Sequence, residues 1–181
     1  PTLNDLMTAF MKGLQRKLAR PRRPMQYLTE DLFNDLKTLV EPDFGCRVGQ
    51  FTVRLDTWRT VFAVTWAYGM RCRPAEIRDL FTDMIRAIGD GMWEAFLIDR
   101  KNDKGHKGWR TQIGAKPHSL RTCPIEMFRL YLLRLQQAER EAGFEKGPYN
   151  GSLYPHLEQV NGHWYPVRTT SADSKAVRLG I

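Results

Sequence analysis

The sequence lacks the features that define several large classes of protein. It contains no run of about 18 apolar residues, so no membrane-spanning helix is expected. Its N-terminal region also lacks the short apolar core of a signal peptide. The three cysteines are an odd number without CxxC spacing, and the four histidines show no ligand spacing with them. We therefore expect no disulfide framework, no zinc site and a reducing, intracellular compartment.

Basic residues outnumber acidic residues in two stretches, and the net charge of +8 is confined to these stretches. Residues 1–24 carry six basic side chains against one acidic side chain, a net +5, and residues 99–110 carry five against two, a net +3. The rest of the chain has equal numbers of each sign. A solvated basic face is one interpretation, but two localised patches on a neutral chain favour a polyanion partner. No basic helix with a long apolar face is present, which argues against a membrane partner.

The hydrophobic pattern changes period along the chain. Helical spacing predicts helices over 3–18, from Thr29 to about Val40, over 52–70, over 74–80, and from Pro124 to the glycine at 143. Shorter apolar runs predict strands over 85–88, 92–98 and 109–113. A segment rich in Gly, Pro and Tyr over 144–167 receives no assignment, and a final helix is predicted over 171–178.

This order of elements predicts an α+β fold that is mainly helical and contains a small three-stranded antiparallel sheet. The stretch Arg20-Pro-Arg-Arg-Pro24 breaks the first helix and is typical of an extended linker. The expected domains are therefore 1–24, a helix and basic linker, and 25–181, the main domain.

Two segments carry the candidate chemistry. Arg73 stands at the start of a predicted short helix, directly after a long apolar helix, and a helix N-terminus favours an anion. Several lysines stand on the connection between the second and third predicted strands. An arginine and a lysine presented in this way suit a phosphodiester, which gains negative charge in its transition state. The alternatives are an Arg73–Glu76 pair on a helix surface and a flexible polar turn.

The run from Arg73 through Glu76-Ile77 to Leu80 resembles the first conserved box of the tyrosine recombinases, the phage-integrase-like DNA strand exchangers. Gly69 lies four residues before Arg73, whereas the family usually has two. Arg71 has the usual glycine spacing but lacks the glutamate, so Arg73 is assigned and Arg71 is its rival. Three further segments are similar to parts of the family. Residues 10–16 are similar to the last helix of its core-binding domain, and residues 22–29 to the linker that follows. Residues 153–155 are similar to the Leu-Phe-Pro that precedes its second box.

The resemblance implies double-stranded DNA as the partner, cut and rejoined through a phosphotyrosine during recombination or integration of a mobile element, without a metal or any other cofactor. It implies that Arg73 neutralises the phosphate, that Glu76 orients Arg73 and that Lys101 donates a proton to the leaving oxygen, with Lys104 as the rival acid. A homo-oligomer on DNA, in a nucleus or bacterial nucleoid, is the corresponding expectation. The expected DNA-binding residues are Arg16, Lys17, Arg20, Arg22, Arg23, Arg71, Lys104, Lys107 and Arg110.

The family's second box, His-x-x-Arg followed by a nucleophilic tyrosine, is not found at the expected interval. His118-Ser-Leu-Arg121 matches the His-x-x-Arg pattern, but it precedes the helix and the Leu-Tyr-Pro segment that should come before the box. Tyr165 directly follows Trp164, whereas the family separates the residues in these two roles by several positions. We expect that the chain ends short of the second box. The alternatives are a non-catalytic DNA-binding module derived from such an enzyme and a basic protein-interaction domain.

Overall fold

A computed structural model of the chain describes residues 30–70, 72, 74–98, 108–115, 123–144 and 146–171. The chain divides into two units, Pro1–Glu30 and Asp31–Ile181. All but one residue of the first unit lie outside the described residues, as do the expected domain boundary at residue 24 and the predicted helix over 3–18. The domain assignment therefore stays a prediction, and the following account concerns the second unit.

The second unit contains four described helices and five described strands. The helices are α1 (Glu30–Thr38), α2 (Leu55–Gly69), α3 (Pro74–Arg78) and α4 (Pro124–Glu141). The strands are β1 (Ile85–Gly89), β2 (Met92–Leu97), β3 (Trp109–Gly114), β4 (Pro155–Val160) and β5 (His163–Ser171). The predicted α+β class and the three-stranded antiparallel sheet are confirmed.

Helices α2 and α4 form the centre of the core and run antiparallel. The indole of Trp66 near the end of α2 donates to the carbonyl of Pro124 at the start of α4, over 2.9 Å. At the other end, the side-chain amide of Gln137 donates to the carbonyl of Phe51, also over 2.9 Å. Between these points the rings of Phe62 and Tyr131 stack with centroids 4.4 Å apart. The helices are therefore joined along their length by aromatic packing and at both ends by hydrogen bonds.

A buried carboxylate organises the loop that leads into α2. Asp43 is fully buried, and its oxygens accept hydrogen bonds from the backbone amides of Thr52 and Val53. The indole of Trp58 donates to the same carboxylate over 2.6 Å. Several donors compensate the loss of hydration of a buried carboxylate. This network explains why the helix predicted from residue 52 begins at Leu55.

Strands β1, β2 and β3 form one antiparallel sheet in that order. Ile85 pairs with Ala95, which pairs with Thr111, and Leu97 pairs with Trp109. Ile85, Ala95 and Leu97 are buried together with Ile113. Because side chains alternate across a strand, the other face of the sheet carries the intervening residues, of which Arg86 and Arg110 are exposed and Glu94 is buried.

Strands β4 and β5 form a second hairpin that the sequence pattern did not predict. They pair in antiparallel fashion, and Asn161 and Gly162 form the turn with φ of +52° and +81°. The guanidinium of Arg168 on β5 holds the buried carboxylate of Glu139 on α4 by two hydrogen bonds of 2.6 and 2.5 Å. The segment over 144–167 is thus largely a hairpin on α4. Ser171, where a final helix was predicted to begin, is the last residue of β5, and residues 172–181 lie outside the described part.

Candidate functional site

The C-terminal end of α2 lies against strand β3. The hydroxyl of Thr111 approaches the carbonyl of Met70 at 3.5 Å. A Cβ placed on Gly69 would lie 3.1 Å from Cδ1 of Ile113, so the absence of a side chain at 69 allows this close approach. The amide of Cys72 donates to the carbonyl of Ala67 over 2.9 Å and closes the end of the helix. The backbone on both sides of position 71 is therefore fixed beside β3.

Helix α3 continues this segment and is anchored in the core. Ile77 is fully buried and Leu80, two residues after the end of α3, is 1% exposed. Glu76 lies in the first turn of α3 and is half-buried. Arg71 and Arg73 lie outside the described residues. Of the three residues expected to form the arginine box and its support, the structure describes only Glu76, and the described neighbours Met70, Cys72 and Pro74 flank the two arginines.

The predicted basic hairpin has the expected pairing at its base. Leu97 on β2 pairs with Trp109 on β3, and the chain between them contains Lys101, Lys104 and Lys107. These lysines lie outside the described residues. Gly108 closes the connection with φ of +76°, and a Cβ there would overlap the ring of Phe96. Only glycine fits beneath the Phe96 ring in this conformation.

The described flanks of the two candidate segments lie close together at β3. Thr111 contacts Met70 and lies two residues after Trp109, a distance of roughly 7 Å along a strand. The backbone next to the arginine segment is thus within about 10 Å of the point where the lysine-bearing connection joins β3, by the same strand rise. The fold brings the flanks of the two segments together, although they are separated by a helix and two strands in the sequence.

A cluster of charge occupies the outer face of the three-stranded sheet. Nη2 of Arg86 on β1 lies 3.2 Å from both carboxylate oxygens of Glu94 on β2. Nη1 of Arg110 on β3 lies 3.4 and 3.5 Å from the same oxygens. Sequence reasoning named Arg110 but missed Arg86 and Glu94. The missed signal was a pair of opposite charges on neighbouring predicted strands, which becomes informative only once the register is known.

Tyr165 lies near the C-terminal end of α4, whereas the described residues that precede the arginine segment lie near its N-terminal end. Its hydroxyl is 2.7 Å from Nζ of Lys146, and its ring packs on Phe144 just beyond the end of α4. The arginine segment follows Trp66, which contacts the start of α4 at Pro124. At 1.5 Å per residue, the 18 residues of α4 span roughly 27 Å. Tyr165 therefore lies far from the described residues that precede that segment. His118 and Arg121 lie outside the described residues.

The remaining DNA-binding residues expected from the sequence, Arg16, Lys17, Arg20, Arg22 and Arg23, also lie outside the described part of the chain. Over the described residues, no three His, Cys, Asp or Glu side chains are grouped so as to hold a metal ion. None of the described helices is long and apolar enough to cross a membrane. No protein-family model and no curated protein matches the chain.

Proposed function

We propose that the chain binds duplex DNA as part of a tyrosine-recombinase-like catalytic domain, in which Arg73 and Lys101 act on one phosphodiester. The observation that carries the proposal is the contact of Gly69 and Met70 with Ile113 and Thr111. This contact supports a common location for the arginine segment and the lysine-bearing connection. Arginine and lysine on one phosphate stabilise the charge that develops during phosphoryl transfer.

The proposed chemistry assigns one task to each group. Arg73 binds the nonbridging oxygens of the phosphate, because a guanidinium matches them with two parallel donors. Glu76 positions that guanidinium. Lys101 donates a proton to the oxygen that leaves when a tyrosine hydroxyl attacks phosphorus, and Lys104 is the alternative donor. The DNA is then joined to the tyrosine through a phosphotyrosine bond. A DNA hydroxyl attacks this bond when the strand is rejoined, which restores the phosphodiester and releases the tyrosine.

A non-catalytic DNA-binding module is the second candidate. It is favoured by the position of Tyr165, at the far end of α4 from the arginine segment. In this case the same basic residues would contact backbone phosphates, which position a protein on a duplex without reading its sequence. The two candidates share DNA as the partner and differ in whether a covalent intermediate forms.

The test compares three variants for binding to a labelled duplex and for strand cleavage. We expect Arg73→Ala to retain the fold and to reduce the salt dependence of binding by about one phosphate contact. Lys101→Ala should leave binding nearly unchanged. In a form of the protein that cleaves DNA, each change should slow cleavage by about two orders of magnitude or more.

Arg54→Ala is the matched control, because Arg54 is 73% exposed, pairs with Asp56 and lies at the opposite end of α2. This variant should behave as the parent protein in both assays. If Arg73→Ala instead unfolds the domain, Arg73 is a structural residue and the assignment of the site is wrong. If Arg73→Ala and Arg54→Ala bind DNA equally well, Arg73 does not contact phosphate.

A further inference from the structure

We infer that the outer face of the three-stranded sheet binds the DNA backbone through a pair of arginines, Arg86 and Arg110, held by Glu94. This inference rests on the proposed function and adds a second phosphate-binding surface to it. The occupant is a phosphate of the same duplex, distinct from the one that Arg73 and Lys101 engage. The inference adds Arg86 as a phosphate-binding residue and Glu94 as a positioning residue. Arg110, already expected to bind DNA from the sequence, is held by Glu94 beside Arg86.

The geometry fixes two cations around one anion. Arg86 and Arg110 project from the two edge strands and meet the carboxylate of Glu94 on the central strand at 3.2 to 3.5 Å. The Glu94 side chain is 10% exposed, whereas those of Arg86 and Arg110 are 62% and 64% exposed. The carboxylate thus lies beneath two guanidiniums that remain open to solvent.

One carboxylate neutralises one of the two guanidiniums, so the cluster keeps a net positive charge. Each guanidinium has five N–H donors, and the two carboxylate oxygens of Glu94 cannot accept from all of them. The unneutralised charge and the solvent-facing donors suit a phosphate, which accepts several hydrogen bonds at once. Because Glu94 holds both side chains, less conformational entropy is lost when the phosphate binds.

The location of the cluster favours nucleic acid over an acidic protein. Arg110 lies two residues from Gly108, where the connection that contains Lys101, Lys104 and Lys107 ends. The cluster therefore extends the basic stretch of residues 99–110 along the outer face of the three-stranded sheet. Phe96 pairs with Arg110 on the same face and is 36% exposed, which offers an apolar contact for the sugar. An extended positive strip of this kind follows a DNA backbone.

The experiment measures the salt dependence of duplex binding for Arg86→Gln, Arg110→Gln and the double variant. Because the pair engages one phosphate, the double change should reduce the magnitude of the log–log slope by about one, and each single change by up to that amount, equally on unrelated sequences. Arg129→Gln is the matched control, because Arg129 on α4 is 53% exposed and is likewise paired with a carboxylate, that of Glu126 at 2.6 Å. It should leave the slope unchanged.

Replacing both arginines by lysine keeps the charge and should keep the slope, and circular dichroism verifies the fold of every variant. If the parent protein does not bind DNA, the proposed function fails. If the parent binds but Arg86→Gln and Arg110→Gln match Arg129→Gln, only the inference fails. If Arg86→Gln and Arg110→Gln weaken binding to polyglutamate and to DNA equally, the cluster is a general polyanion-binding surface, and its role in binding DNA is supported. If these variants weaken binding to polyglutamate but not to DNA, the inference is wrong.

Discussion

The contact between Gly69 and Ile113 can be tested by adding and removing single methyl groups. Gly69 is the last residue of α2, and a Cβ there would lie 3.1 Å from Cδ1 and 3.9 Å from Cγ1 of Ile113. The first distance requires the side chain of Ile113 to move, whereas the second is an ordinary van der Waals contact. Gly69→Ala therefore introduces a methyl group into a contact that Ile113→Val relieves.

The expected magnitudes follow from two opposing effects. Alanine is more favourable than glycine in a helix by about 1 kcal/mol, whereas overpacking a core costs about 1–3 kcal/mol. Ile113 is only 4% exposed, so its side chain has little room to move. We expect Gly69→Ala to lower the free energy of unfolding by about 1 kcal/mol, and Ile113→Val to lower it by about 1 kcal/mol through the lost methylene.

In the Ile113→Val background the clash is gone, so Gly69→Ala should raise the free energy of unfolding by about 0.5–1 kcal/mol. The two changes are thus coupled by about 2 kcal/mol. Urea denaturation of the four proteins, followed by tryptophan fluorescence, measures the coupling. A coupling below about 0.5 kcal/mol, the range of independent sites, would refute the contact and with it the observation that carries the proposed function.

Three further predictions concern other parts of the domain. Arg168→Ala leaves the carboxylate of Glu139 buried without its partner and should lower the free energy of unfolding, measured in urea, by about 3–5 kcal/mol. The double variant Arg168→Met, Glu139→Gln removes both charges and should restore much of this loss. Burial raises the pKa of both Tyr131 and Tyr149. Above about pH 10 the unfolded chain loses these protons while the folded chain keeps them, so the free energy of unfolding should fall by about 1.4 kcal/mol per pH unit for each tyrosine. Urea midpoints from pH 9 to 11 measure this decline, and a flat profile contradicts it. A nicked suicide DNA substrate should yield no covalent adduct through Tyr165, and a DNA-shifted band lost in Tyr165→Phe on denaturing electrophoresis would contradict this.

The helices and the three-stranded sheet were predictable because their periodicity is strong and their boundaries carry local signals. The apolar residues of α2 cover more than one stripe and end at Gly69, and α4 begins with a proline and ends before a glycine. The hairpin of β4 and β5 was missed although Asn161-Gly162 is a strong turn signal. Pro155 and Pro166 lie within its strands and weaken a strand prediction, because proline cannot donate to a ladder.

The candidate site was predictable only where its members are close in sequence. The arginine segment and the basic connection are each local patterns, so they could be recognised separately. The cluster of Arg86, Glu94 and Arg110 depends on the register of three strands, and a shift of one residue would move each side chain to the other face. The contact of α2 with β3 depends on tertiary packing, which no local pattern encodes.

The salt dependence of duplex DNA binding tests the central claim most directly. The net positive charge is confined to residues 1–24 and 99–110, and we expect the basic residues of these stretches to neutralise roughly 4–6 phosphates, which gives a log–log slope of about −4 to −5. Binding should be nearly equal for duplexes of unrelated sequence, because phosphate contacts carry no sequence information. Binding that stays flat between low and moderate salt, or no binding at low salt, would contradict the assignment of DNA as the partner.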